Sequence, residues 1–282
     1  MTIPQGNIIA GRFIIKEILS NRCSRIVYLA DDISPNERHS NQPVALKMLN
    51  LSAAKDPLQS RPLLEEFLLA KSIDHTNVIE VFDYVVEGES TLFSMEHIVG
   101  ETLSEWAKKG PRAFSELLAI FAQITAALQA IHDAGIVHRD VKSSNILVTS
   151  SGETKIIDFG VARRFADDTQ AAGEIVGSPQ CIAPEIWRGQ SPSREAELYA
   201  LGVLFCEVCL GYLPIEAELN EQFMFKHLTY SPPPLHRAKR SIPQWFSALT
   251  ARLLAKNPND RPSSAQEALE HIRTREPKYA RR

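Results

Sequence analysis

His138-Arg139-Asp140-Val141-Lys142-Ser143-Ser144-Asn145, followed by Asp158-Phe159-Gly160, places an acid, a cation, an amide and a second acid in two short polar segments. A carboxylate such as Asp140 suits the proton of an attacking hydroxyl, and Lys142, two residues on, offers a cation to a charged group in motion. Asn145 and Asp158 carry oxygen donors of the kind that hard divalent cations such as Mg²⁺ prefer. A chance run in a loop does not keep this order and separation.

Outward from this centre the chain changes character. Phe114 to Ala134 puts Leu117, Ile120, Phe121, Ile124, Leu128 and Ile131 on one face, which predicts a long amphipathic helix ended by Gly135. Helical spacing returns at Glu195–Gly211, Trp245–Leu254 and Ser264–Ile272, the last opened by Ser264 and Glu267 as a capping box. The Pro232-Pro233-Pro234 run is a loop.

Before Gly100 the reading is mostly strand: Phe13–Leu19, Ile26–Ala30, Val44–Leu49, Val78–Val86 and Thr91–Glu96. One helix interrupts them, Leu63–Ile73, with Leu64, Phe67, Leu68 and Lys71 at helical intervals. The expectation is an α+β chain forming one domain over 1–282. It has an antiparallel-sheet lobe at about 13–96, a hinge at about 96–100, a larger, mostly helical lobe at about 101–272 and a basic tail at 273–282. Sites commonly lie in the cleft between such lobes.

Composition narrows the class of protein. The 282 residues carry 31 Lys+Arg against 34 Asp+Glu, a net charge of −3 that argues against a nucleic-acid partner. The cysteines Cys23, Cys181, Cys206 and Cys209 are too scattered for a disulfide framework. Cys206 and Cys209 read as a buried helical pair, and His75, His97, His132 and His227 as structural or surface residues. Leu198–Leu210 is the longest apolar stretch, shorter than a bilayer span and interrupted by Glu207. These features lead to the expectation of a soluble, cytoplasmic protein with no membrane span.

Taken together the motifs resemble those of the eukaryotic-type (Hanks-type) serine/threonine protein kinase domain, in family order and over about Phe13 to Ile272. The resemblance implies the bilobal kinase fold, ATP as cofactor, and Mg²⁺ (or Mn²⁺) held by Asn145 and Asp158. It makes Asp140 the residue that receives the hydroxyl proton and Lys142 the one that steadies the moving phosphoryl group. Val44-Ala45-Leu46-Lys47 resembles the third-strand motif, placing Lys47 on nucleotide phosphates, and Glu66 resembles the helix glutamate that pairs with it. Glu65 takes that place if the helix is read one residue differently. Met95-Glu96-His97-Ile98 resembles the hinge that binds adenine through its backbone, with Val27, Ala45 and Leu147 as apolar faces. Ala183-Pro184-Glu185 resembles the end of an activation segment, with Arg261 as the expected partner of Glu185. Gly177-Ser178-Pro179 and Lys142 favour Ser/Thr substrates. Thr169 and Ser178 are candidate autophosphorylation sites, Arg139 being the arginine that a phosphate on the segment would neutralise.

Three positions depart from the family. The pattern Gly-x-Gly-x-x-Gly-x-Val falls on Ser20-Asn21-Arg22-Cys23-Ser24-Arg25-Ile26-Val27, without a glycine. Ser20 is a mild change and stays in the nucleotide set. Arg22 and Arg25 either obstruct the phosphates, hold them through their side chains, or lie solvated on an open loop. Glu197 stands where the family carries Asp, and Cys181 where it usually carries Tyr. The expected function is phosphoryl transfer from ATP to Ser/Thr of protein substrates, with autophosphorylation. The alternatives are a pseudokinase-like scaffold and, less favoured, a small-molecule kinase. Regulation by a partner or a dimer is compatible with either of the first two.

Overall fold

A computed structural model describes residues 2–22, 25–34, 42–49, 57–88, 90–165 and 175–275, with the side chains of Arg22 and of 57–59 left out. Cys23, Thr169 and the basic tail beyond Arg275 lie outside the described residues. The chain divides into one unit of Met1–Asp74 with Ile79–Val99 and a second of His75–Val78 with Gly100–Arg282.

Among the described residues the first unit holds six strands, β1 (Ile8–Ile9), β2 (Phe13–Arg22), β3 (Arg25–Asp32), β4 (Pro43–Leu49), β5 (Val81–Glu87) and β6 (Ser90–Glu96). They form one antiparallel sheet in the order β1-β2-β3-β4-β6-β5. The period of two is plain in β3, where Ile26, Tyr28, Ala30 and Asp32 are buried and the residues between them half-buried. Phe13, Ile15, Tyr28, Leu46 and Met48 share one apolar cluster. β4 is buried on both faces from Val44 to Leu49, as suits a central strand that also meets helix α1 (Pro57–Lys71).

The inward face of α1 differs from the expected one. Leu63, Glu66, Phe67 and Ala70 are buried, whereas Leu64 and Leu68 are exposed. Apolar spacing alone could not set this rotation, because its inner face carries a charge. Glu66 is turned inward to two cations, while Leu64 and Leu68 go outward.

The second unit holds β7 (Gly100–Thr102), β8 (Ile136–Val137), β9 (Ile146–Thr149), β10 (Thr154–Ile156) and β11 (Arg163–Arg164). Its helices are α2 (Leu103–Lys108), α3 (Phe114–Asp133), α4 (Pro184–Trp187), α5 (Arg194–Leu210), α6 (Asn220–Thr229), α7 (Leu235–Ala238), α8 (Gln244–Leu253) and α9 (Ala265–Arg273). All six residues expected on the inner face of α3 are buried. Phe121 packs on Phe205 of α5 and Phe246 of α8, with ring centroids 4.2 and 5.2 Å away. Among the described residues α3 is the one helix long and apolar enough to cross a membrane, and it serves here as the core helix against α5 and α9.

Helix ends follow local chemistry. Ser193 caps α5, accepting the Ala196 N–H at 3.2 Å, and Gly211 closes it with φ of +83°. Ser264 accepts the Glu267 N–H at 3.1 Å, but the Glu267 carboxylate returns to the N–H of Ser263 at 2.7 Å. The expected box there is therefore open by one residue. A closed box forms instead at Thr102 and Glu105, on α2, which the sequence reading did not mark. Cys206 and Cys209 are buried, as expected, and burial pushes both thiols up, that of Cys206 to about 12.

Candidate active site

Sheet register places most of the first unit's expected site residues on one face. Directly opposed residues of an antiparallel pair share a face. Ser20 opposes Val27, Val27 opposes Lys47, and Ala45 opposes Met95. Glu96 closes β6, where its N–H donates to the Glu80 carbonyl and its carboxylate accepts the Glu80 N–H at 2.8 Å. Ile98 follows in the connection to Val99, half-buried.

On that face Lys47 Nζ bonds Glu66 Oε1, and both side chains are buried. Glu65, the alternative, points outward and pairs with Arg61 at 2.9 Å. Glu66 has a further partner: Arg25 Nη1 donates to its Oε2 at 2.9 Å. Of the three readings of Arg25, the solvated one is therefore overturned. Arg25 is two residues before Val27, so the period of β3 turns it to the Lys47 side. That alternation was a signal available in the sequence.

In the second unit the loop after β8 dresses Asp140 from three sides. Oδ2 accepts from Lys142 Nζ at 2.6 Å and from Asn145 Nδ2 at 2.8 Å, and Oδ1 accepts the Ser178 N–H at 3.0 Å. Burial pushes the Asp140 carboxyl up, but the bonds and charge of Lys142 with those of Ser178 and Asn145 outweigh it. The group is held below the usual carboxylate range. Lys142 also donates to Ser178 Oγ at 2.6 Å, which joins the loop to the segment ending at Ala183-Pro184-Glu185.

The loop is fixed from beneath by two acids of α5. Glu197 Oε1 accepts the Arg139 N–H at 2.6 Å, and its Oε2 meets His132 Nε2 at 2.7 Å. Glu207 Oε1 accepts from Ser143 Oγ at 2.7 Å, and burial pushes the Glu207 carboxyl up. Glu207 was legible only as a charge inside an apolar run; a buried acid of that kind needs a partner, which could have marked it. Arg139 and Asp158 adopt left-handed backbone, with φ of +68° and +70°. Such strain in residues with a Cβ concentrates at functional sites. Gly177 has φ of +110°, and a Cβ there would lie 2.5 Å from the Arg139 carbonyl oxygen, so the approach requires glycine. His138 is buried with its ring 4.9 Å from that of Phe159, linking the two motifs. Glu185 and Arg261 form the expected pair, with Nη2 to Oε2 at 2.7 Å.

Asn145 and Asp158 fit a divalent cation. Asn145 spends its NH₂ on the carbonyl and carboxylate of Asp140, at 3.0 and 2.8 Å, which leaves the amide oxygen as its ligand atom. The Asn145 carbonyl accepts the Ile157 N–H at 2.9 Å, tying the loop to the residue before Asp158. An amide oxygen and a carboxylate are the donors a hard cation takes. Leu147, on β9, is half-buried opposite Thr102 and Lys155.

A sheet unit with a buried Lys–Glu pair and a helical unit with an aspartate held by Lys and Asn are the features of the protein kinase class. The chain belongs to the protein kinase domain family, which it matches over residues 33–272. It is 32% identical over 271 residues to the serine/threonine-protein kinase PrkC of Bacillus subtilis, covering 95% of this chain and 41% of that protein. It is 30% identical over 276 residues to PknB of Mycolicibacterium smegmatis, covering 95% and 43%. Pkn2 of Myxococcus xanthus is 29% identical over 276 residues, covering 95% and 33%. The chain thus spans between a third and somewhat under half of the length of these relatives. The family implies ATP and a divalent metal.

Proposed function

We propose that this chain is a serine/threonine protein kinase that transfers the γ-phosphate of ATP to a Ser or Thr hydroxyl of a protein. The observation that carries this reading is the setting of Asp140, ionised and held in place by Lys142, Asn145 and Ser178.

In this reading Asp140 orients the substrate hydroxyl and takes its proton as the oxygen attacks the γ-phosphorus and the bond to the β-phosphate oxygen breaks, releasing ADP. Lys142 lies against Asp140 and offers its ammonium to the transferring group. Lys47, steadied by Glu66, holds nucleotide phosphates, the Met95–Ile98 backbone binds adenine, and Val27, Ala45 and Leu147 each offer it an apolar face. Asn145 and Asp158 would hold Mg²⁺, with Mn²⁺ acceptable to the same donors. When bound, the metal neutralises phosphate charge. Ser178 and Lys142 favour Ser/Thr acceptors.

The test is transfer of labelled phosphate from ATP with Mg²⁺ to the chain itself and to a generic basic protein. Wild type should label both, while Asp140→Asn and Lys47→Met should not. Equal incorporation in all three would remove the kinase reading, and nucleotide binding without transfer would favour a scaffold.

A further inference from the structure

Arg25 stands at the third glycine position of the phosphate loop pattern, where a side chain would ordinarily be in the way. Its side chain, one quarter exposed, carries Nη1 to Oε2 of Glu66, the carboxylate whose Oε1 holds Lys47. Two cations therefore share one buried carboxylate. The register explains the meeting. Arg25 opposes Leu49 and Val27 opposes Lys47, so Arg25 and Lys47 are diagonal neighbours on the face that carries Ser20, Ala45 and Met95.

A guanidinium has five N–H donors in a rigid fork, and the bond to Glu66 uses one nitrogen. Its other N–H groups are not used by that bond. Backbone N–H groups of a glycine loop bind phosphate because no Cβ keeps the anion away. Without glycines that route is impaired, and a planar cation fixed at its far end by a buried acid serves the same chemistry through a side chain.

We propose that Arg25, anchored on Glu66, is a nucleotide-phosphate-binding residue that supplies by its side chain the contact the missing glycines would make through the backbone. This rests on the kinase reading for the identity of the ligand. A consequence is that the start of β3 is tied to α1 through Glu66, so the phosphate contact and the Lys47–Glu66 pair are set together.

The experiment is calorimetric titration of the full chain with ATP and, separately, with adenosine, both in Mg²⁺, for wild type, Arg25→Gln, Arg25→Gly and Arg25→Lys. Loss of a charge-assisted phosphate bond should weaken ATP about tenfold in the Gln and Gly variants. Adenosine affinity should stay within about twofold, and Lys should retain more ATP affinity than Gln or Gly, because it keeps the charge although it loses the planar fork. The KM for ATP should rise with little change in kcat. ATP bound as tightly or more tightly by Arg25→Gly would overturn the proposal and make Arg25 an obstruction. Parallel loss of ATP and adenosine, or equal loss in the Lys and Gln variants, would overturn it in favour of a structural role. If wild type shows the Arg25 dependence but transfers no phosphate, the kinase reading falls and the proposal stands. Transfer with ATP affinity indifferent to Arg25 does the reverse.

Discussion

Glu197 receives the backbone N–H of Arg139 at 2.6 Å on one carboxylate oxygen and His132 Nε2 at 2.7 Å on the other. One buried side chain of α5 thus holds the residue before Asp140 and the last turn of α3 at once. The protein kinase pattern carries Asp at this place, so the chain has accommodated one more methylene between its helix and its loop. Arg139, held in left-handed backbone, depends on that reach.

Glu197→Asp should therefore damage this chain although it restores the family residue. The shorter acid reaches one partner and leaves the other, buried, without it, which costs about 1–3 kcal/mol. Urea unfolding should show that loss, and kcat should fall more than the KM for ATP changes. A variant as stable and active as wild type would mean that the loop follows the carboxylate.

The surroundings of Asp140 set the acid side of the pH profile. Burial raises its proton affinity, but Lys142 first, then Ser178 and Asn145, lower it further than burial raises it. The sign follows: the carboxylate stays ionised down to below its ordinary value of 3.8, so transfer should be insensitive to this group through the neutral range. Lys142→Met leaves burial with less opposition and should move the acid limb of kcat/KM upward, besides lowering kcat by about 10²-fold or more. A limb at the same pH in both proteins would show that it belongs to another group.

Much of this was legible before any coordinates, and the failures have causes. The long face of α3 and the order of the catalytic motifs were readable because each is local, set by periodicity or by adjacent residues. The rotation of α1 was not, since an acid on its inner face is drawn there by Lys47 and Arg25 from strands far off in the sequence. β7 to β11 were missed because two to four residues carry no period. Glu207 looked like an interruption of an apolar run until Ser143, 64 residues away, supplied its partner.

A second acid-dependent effect belongs to His227, on α6. Burial, with the nearby charge of Lys256, pushes its imidazole from 6.5 down to about 4 despite the carbonyls of Pro179 and Gln180. Its Nδ1 lies 2.8 Å from the Tyr199 hydroxyl, which Lys256 Nζ also approaches at 3.4 Å. The unfolded chain binds a proton near pH 6.5 that the fold refuses until about 4, so stability falls as pH drops through that window. The full loss is roughly 3 kcal/mol. His227→Phe should flatten the slope of unfolding free energy between pH 6.5 and 4.5 relative to wild type. An unchanged slope would assign the acid sensitivity to other groups.

Arg261 and Glu185 give the clearest separation of stability from activity. Both side chains are buried, at 0% and 3% exposure, and two parallel bonds join them. Arg261 also donates to the carbonyls of Glu195 and Ala255, at 2.7 and 2.9 Å, so it gathers three chain segments. Removing the acid alone leaves a buried guanidinium with its carbonyl partners but no counter-charge, which costs about 3–5 kcal/mol. Glu185→Gln should accordingly lower the urea midpoint sharply. Replacing both members by apolar residues, Glu185→Leu with Arg261→Met, removes the buried charges together and should recover part of that loss. Transfer should not recover with it. The pair anchors the end of the segment that brings Ser178 to Asp140, and apolar packing does not reproduce the directed bonds that fix it. A double variant as active as wild type would show that the anchor needs only packing.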